Sequence, residues 1–469
     1  MRGIIAYGAY VPYNRLQRDK ITQTLGSGGG RGTRSVASYD EDTTSMGVEA
    51  ARIALAGAPG IAPGSLYLAS ANPAYLDKTN ANTVHAALGL STATPAIDMM
   101  GSARSASGAL GAALFGTRST MVVSSDVRTG LPASTDESAG GDGAAAFLIG
   151  DDADGPVLAE FIGGASATAE FLDRWRSPGD NSSRVWEERF GEAAYLPLVE
   201  DAVARAYEGA GLTPEDVDKV VLTGMQARAV RGAAKFIGVA PDKFADDLTG
   251  TIGNTGAAHP GTVLAHALDG AGPGEVIMTV DLADGATAGF YRTTDAIAAY
   301  SPATTVQSQI DAGNDSLEYA MFLTWREMLV REPPRRPDPD RPAAPPSERA
   351  STWKYGFVGS ECTACQARHL PPSRVCVKCE SVDQMIDVPL SDVPATIATY
   401  TIDRLAFSLS PPVVAAVIDF DGGGRFAGEM TDVDPDSVAI GDRVQMTFRR
   451  LFTAQGVHNY FWKARPARS

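Results

Sequence analysis

All four cysteines of this 469-residue chain fall between Cys362 and Cys379, in "CTACQARHLPPSRVCVKC". They form two Cys-x2-Cys pairs, Cys362 with Cys365 and Cys376 with Cys379. Two such knuckles present four soft thiolates, the donor set and spacing of a tetrahedral zinc site in a small ribbon. Four thiolates leave no coordination position for water or substrate, so zinc here is expected to be structural. The same spacing would serve a four-thiolate iron site, or two disulfides in an oxidising compartment.

A second stretch, "DMMGSARSASGAL" at residues 98–110, has the layout of a nucleophile site. An Asp ends an apolar strand, small residues turn the chain, and an Ala-rich helix begins. A buried helix N-terminus at such a turn lowers the pKa of a thiol and stabilises the thiolate. The residue at the tip is Ala103, between Ser102 and Arg104. A methyl group cannot attack a carbonyl. One residue along a helix turns a side chain by roughly 100° and shifts it about 1.5 Å, so Ser102 is displaced from the tip, and no histidine partner is evident for it. Its expected role is to cap the helix.

These groups need scaffolds, and the length allows two or three domains. Up to residue 330 strands and helices alternate in two similar runs. "MVVSSD…GDGAAAFLIG" in the first is matched by "VIMTVDLADGATAGFY" in the second, and each pair follows an Ala-rich helix of small residues. This predicts a duplicated α/β unit in five layers, with halves 1–170 and 171–330 and small-residue helices buried between two sheets. No G-x-G-x-x-G opens a helix after the first strand, which argues against an open dinucleotide-binding sheet.

The Pro-rich "REPPRRPDPDRPAAPPSER" begins a linker over 331–354. The ribbon follows at 355–382. The runs "ATIATYTI", "PVVAAVIDF", "GRFAGEMT" and "DRVQMTFRRLF" then predict a small all-β OB barrel over 383–469. OB barrels often grip nucleic acid with aromatic and basic side chains. The chain has 56 acidic against 40 basic residues, net −16, which argues against nucleic acid as a partner. Arg449, Arg450, Phe452, Tyr460, Phe461 and Trp462 are therefore expected to serve core packing and domain docking. "MRGIIAYGAYVPYNR" does not read as a signal peptide and no apolar run is long enough to span a membrane, so the expected location is cytoplasmic.

From residue 2 to about residue 325 the pattern resembles the thiolase superfamily, and most of all the 3-hydroxy-3-methylglutaryl-CoA synthases of the archaeal and bacterial kind. "GIIAYGAYVPYNRL", "ASYDEDTTSMGVEAARIAL", "FLDRWRSPGD" and "GNTGAAH" carry the resemblance in the family's order. The C-terminal part resembles the zinc-ribbon/OB domain that accompanies such enzymes, usually as a separate chain and associated with acyl-CoA handling and complex assembly.

The resemblance implies a Cys nucleophile, a Glu general base and a His. Carried over by motif, these fall on Ala103, on Ser70 in "LASANPAY" and on Thr223 in "VVLTGMQARAV". All three are replaced. The resemblance retains Asn254, in "GNTGAAH", as the group that helps bind a thioester oxygen. His259, on the same loop, is the best-placed acid/base among five histidines; His85 and His369 fall in an outer helix and in the ribbon. Arg228 falls where the family has a basic residue that meets CoA phosphate. Lys235 shares its helix face, for which a solvated surface is the alternative reading.

Two functions follow. One is an enzyme of acyl-CoA metabolism that makes or breaks a carbon–carbon bond by aldol or retro-aldol chemistry, with no acyl-enzyme. The other is an inactive acyl-CoA-binding or assembly scaffold for a partner enzyme. The resemblance also implies a homodimer whose sheets continue across a two-fold axis.

Overall fold

The computed structural model describes residues 1–335, 337 and 339–468. Arg336 and Asp338, in the Pro-rich linker, lie outside the described residues. The chain forms two compact units. The first is Met1–Ala37, Met46–Asn82 and Thr92–Tyr319; the second is Ser38–Ser45, Thr83–Ser91 and Ala320–Ser469.

The first unit is built on a nine-stranded sheet. Its strands are β1 (Arg2–Tyr10), β2 (Ser65–Ser70), β3 (Ala96–Met100), β4 (Thr120–Asp126), β5 (Gly143–Asp151), β6 (Ala159–Ala167), β7 (Lys219–Gly224), β8 (Val276–Leu282) and β9 (Ala286–Thr293). They lie in the order β7-β8-β9-β6-β1-β5-β4-β2-β3. The duplication is visible in the pairing. β4–β5 and β8–β9 are the two matched antiparallel pairs, and β2 and β7 run parallel to β4 and β8. Two register pairs, Gly3–Glu160 and Ile4–Ala159, join β1 to β6. β6 pairs on its other side with β9 of the second half, so the seam of the sheet falls before β6 and not at the expected residue 170. Among the described residues the second half has no strand matching β3; a single parallel bridge, Val220 to Phe244, stands in its place.

Helices α1 (Thr43–Ala56), α2 (Arg104–Leu114), α3 (Glu188–Ala210), α4 (Ala227–Ile237) and α5 (His259–Asp269) supply the other layers. Strands covered on both faces read as near-continuous apolar runs, as β1 and β5 do. Ala106, Ala109 and Ala113 of α2 share one core with Val263, Leu264 and Ala267 of α5, between Val122 and Phe147 of one half-sheet and Ile277 and Tyr291 of the other. α3 and α4 cover the far face through Tyr195, Val199, Ala229 and Ala233. α1 covers the near face, where a Cβ on Gly8 would fall 2.6 Å from Ala54 N. The small residues are there because layers approach closely: a Cβ on Gly261 of α5 would meet Ala145 Cβ at 2.8 Å. The fold is the expected five-layered duplicated arrangement.

In the second unit β10 (Val358–Cys362) pairs with β11 (Arg368–His369) and β12 (Met385–Pro389) to form the ribbon. Five antiparallel strands follow: β13 (Ala395–Asp403), β14 (Val413–Phe420), β15 (Arg425–Glu429), β16 (Arg443–Ala454) and β17 (Val457–Pro466). Their order is β15-β14-β13-β16-β17, and a bridge from Met430 to Ala464 brings the two ends together as a small barrel. Phe448, Tyr460 and Trp462 are buried in it, and so is Arg449.

The polar interior of this unit is ionic. Arg449 pairs with Glu41 at 2.5 Å and Asp432 at 2.6 Å. Lys463 pairs with Asp40 at 3.0 Å and Glu429 at 2.9 Å, and Tyr460 donates to Asp42 at 2.7 Å. Segment Ser38–Ser45 is thus held in the barrel's unit by its acids, Asp40 and Glu41 on barrel cations and Asp42 on a barrel hydroxyl. Among the described residues no helix is long and apolar enough to cross a membrane.

Candidate functional site

A cavity of about 800 Å³ opens in the first unit, and its wall includes Ala103, Asp126, Arg128, Asp173, Tyr195 and Asp284. The turn after β3 delivers Ala103 to it. Ala103, with φ −60° and ψ −29°, is the N-cap of α2, and no side chain caps that helix. The capping role expected of Ser102 is therefore not the one it has, because the backbone is already helical at Ala103. The next residue, Arg104, holds the turn after β8. Its guanidinium donates to Asp284 O at 2.8 Å and to Ala283 O at 3.2 Å.

Ser70 ends β2 fully buried and donates to Asp126 Oδ1 at 2.8 Å. Asp126, at the end of β4, also accepts from the Ala71 and Asn72 N–H groups on Oδ1 and from Ala257 N–H at 2.7 Å on Oδ2. Burial pushes its carboxyl above the ordinary range, against the pull of these donors and of Arg128. Beside it Arg128 and Arg174 share Asp136, each at 2.7 Å. Against the cost of burial, these two cations hold Asp136 down at about 2.

Thr223 ends β7 and donates to Asp281 Oδ1 at 3.0 Å, while Ser107 of α2 donates to Oδ2 at 3.0 Å. Burial pushes the Asp281 carboxyl up to about 6. This trio lines a smaller, more apolar cavity of about 230 Å³, with Leu110, Phe161 and Tyr291.

Asn254 lies on the loop that leads into α5 and His259 is the first residue of that helix, and neither is on the wall of the large cavity among the described residues. Asn254 donates through Nδ2 to Gly224 O at 2.9 Å and accepts from Gly256 N–H at 2.9 Å. His259 is buried, and its Nδ1 faces Thr255 N–H at 3.4 Å. Burial lowers its pKa to about 4, so the ring is neutral at pH 7. Arg228 and Lys235 lie on the exposed face of α4, where Arg231 joins them. Arg228 is ion-paired with Glu192, and Lys235 Nζ lies 4.7 Å from the Phe236 ring. The cavity carboxylates Asp126 and Asp173, and Tyr195, were not singled out by spacing. The one local signal was "FLDRWRSPGD", which contains Asp173.

In the second unit the four cysteine Sγ atoms lie within 4.8 Å of one another. Cys362–Cys379 and Cys365–Cys376 are 3.6 and 3.5 Å apart. Zinc–sulfur bonds of about 2.3 Å in a tetrahedron require sulfurs about 3.8 Å apart. The donor set and the spacing therefore fit a zinc ion.

Comparison with known proteins agrees with both units. Residues 207–291 match the family described as 3-oxoacyl-[acyl-carrier-protein] synthase III C terminal, and residues 387–449 match the ChsH2 C-terminal OB-fold domain. The chain is 31% identical over 294 residues to a hydroxymethylglutaryl-CoA synthase of Pyrococcus horikoshii, covering 61% of this chain and 83% of that one. It is 32% identical over 305 residues to the protein of the same name from Methanopyrus kandleri, covering 61% and 85%. A solved HMG-CoA synthase complexed with CoA shares the fold, with a TM-score of 0.59, 18% identity, and coverage of 71% of this chain and 91% of that one.

Proposed function

The chain belongs to the hydroxymethylglutaryl-CoA synthase family, and from that premise we propose that it acts on acyl-CoA thioesters without forming an acyl-enzyme. The reaction is the making or breaking of a carbon–carbon bond by aldol or retro-aldol chemistry. One observation carries the reading. Ala103, the residue on which the resemblance places the family's nucleophile, stands at the N-terminus of α2 in the wall of the cavity, and Asp126, Arg128, Asp173 and Tyr195 give that cavity polar groups. An aldol step needs a polarised thioester oxygen and a proton shuttle, and neither needs a thiol.

Asn254 is the candidate donor to the thioester oxygen; as it is not part of the large cavity's wall, its side chain must exchange its bond to Gly224 O for one to substrate and turn toward the cavity. The bonds of His259 suit it to steadying that loop better than to moving a proton, since the ring is buried and neutral. Arg228 and Lys235, exposed on α4, are the candidate contacts for CoA phosphates. Zinc held by Cys362, Cys365, Cys376 and Cys379 would contribute folding free energy to the ribbon. A scaffold for a partner enzyme is the second reading, favoured by the paired positions Ser70 and Thr223, whose hydroxyls are both committed to buried carboxylates.

A panel of 3-hydroxyacyl-CoAs, followed for cleavage and by intact-mass spectrometry, separates the readings. Cleavage without any adduct on the protein is expected. An acyl adduct would overturn the non-covalent mechanism, and thioester binding without turnover would favour the scaffold. Asn254→Ala is expected to lower kcat by about 10²–10³, whereas Arg228→Ala raises KM.

A further inference from the structure

We propose that Asp173 and Tyr195 are the proton-transfer pair of the large cavity, with Asp173 Oδ1 accepting the hydrogen of a substrate β-hydroxyl. This rests on the aldol reading above. Asp173 is only 5% exposed and lies in the cavity wall, yet its Oδ1 has no hydrogen-bond partner. A buried carboxylate oxygen without a donor needs an explanation, and in a cavity wall a catalytic role is one that fits. The other carboxylates near the lost nucleophile differ: Asp126 and Asp281 have both oxygens satisfied by protein donors. They hold structure. Asp173 is left with an acceptor to spare.

Tyr195 is equally well placed. It is 1% exposed, its ring packs edge-on against Phe171 with centroids 4.9 Å apart, and its hydroxyl oxygen accepts from Asp284 N–H at 3.1 Å. That hydroxyl also faces the Asp173 carboxylate and stabilises its charge. Burial and the neighbouring Asp284 outweigh this and raise the Asp173 pKa, which strengthens it as a base. The pair is tied to α2, because Arg104, next to Ala103, grips the same Asp284 whose N–H holds Tyr195.

In the cleavage direction the β-hydroxyl proton passes to Asp173 Oδ1 and a carbonyl forms at C3. The C2–C3 bond breaks, and its electron pair moves onto C2 and the thioester oxygen as an enolate. As Asp173 takes up the proton and loses its charge, the Tyr195 O–H turns from that carboxylate to the C3 oxygen. The proton on Asp173 is then delivered to C2, giving the shorter acyl-CoA. No oxidant, reductant or further reactant is consumed, and the reverse sequence is the condensation.

Because the same carboxylate serves C2, the protein should exchange C2 hydrogens of acetyl-CoA or propionyl-CoA with D2O, read by mass spectrometry of the thioester. Wild type is expected to incorporate deuterium. Asp173→Asn is expected to lose exchange by about 10²-fold or more while still binding the thioester, and Tyr195→Phe to lose less. Exchange at the wild-type rate in Asp173→Asn would overturn the pair and leave the enzymatic reading standing. A wild type that binds thioester, exchanges nothing and cleaves no 3-hydroxyacyl-CoA would overturn both. If Asp173→Asn no longer bound thioester, Tyr195→Phe, which removes one oxygen, would carry the test: unchanged exchange there would overturn the pair.

Discussion

Ser70 donates its hydroxyl hydrogen to Asp126 Oδ1 across 2.8 Å, tying the end of β2 to the end of β4. The family resemblance puts a glutamate general base at this position; the hydroxyl found here is committed to the scaffold. Asp126 gathers three further N–H groups, from Ala71, Asn72 and Ala257. Asp126→Ala would strand these donors in a buried site, and is expected to lower unfolding free energy by roughly 3–5 kcal/mol. Urea unfolding checks this, and a change of under about 1 kcal/mol would contradict it.

Asp281 makes a pH-dependent prediction. Its folded pKa of about 6 lies above the ordinary 3.8, so the folded state binds the proton more tightly than the unfolded one. Its contribution is fully present below pH 4 and is lost as pH rises through 6. At one pKa unit per about 1.4 kcal/mol, Asp281→Asn should gain on the order of 3 kcal/mol relative to wild type between pH 4 and pH 8. Denaturation of both proteins across that range would show the gap widening. A constant gap would refute the burial argument.

Arg449 neutralises Glu41 and Asp432 in the barrel unit. Arg449→Met would leave those buried carboxylates without their shared cation, at a cost of roughly 3–5 kcal/mol. Hydrogen–deuterium exchange in β16 and β17 should rise sharply. Despite burial, Lys463 and Arg449 hold Asp40 below the usual carboxylate range. Its contribution is therefore present above about pH 4 and lost as pH falls further, which urea unfolding of the wild type at pH 3 and pH 6 would register.

The ribbon should carry one zinc ion per chain when purified without chelator. Cys376→Ser should release the metal, and the ribbon should become protease-sensitive while the first unit keeps its unfolding transition. Metal analysis finding no zinc would count against the site.

We also expect a homodimer. β3 is the edge strand of the nine-stranded sheet, and Ile97 on it is 46% exposed. An open strand edge invites pairing with a second copy. Light scattering at micromolar protein should give twice the chain mass, and Ile97→Lys should shift it towards one chain. A wild-type mass of one chain would rule the dimer out.

The cysteine quartet was legible because its ligands are near neighbours, so local spacing is nearly sufficient to define a tetrahedral site. The duplicated strands and the small-residue helices were legible for a related reason: helices buried between two sheets leave their composition along the chain. β17 was less so, since the aromatic and basic residues of "VHNYFWKARP" take their alternation from facing a barrel interior. The fate of the carboxylates was not legible at all. Asp126, Asp173 and Asp281 each follow or end an unremarkable segment, and only long-range packing decides which oxygens meet donors. Residues 70, 71, 72 and 257 converge on Asp126, and Thr223 and Ser107 on Asp281. Tyr195 arrives beside Asp173 but leaves one oxygen open. Burial and partner are properties of the folded surface around an atom, and residues far apart in the chain supply them.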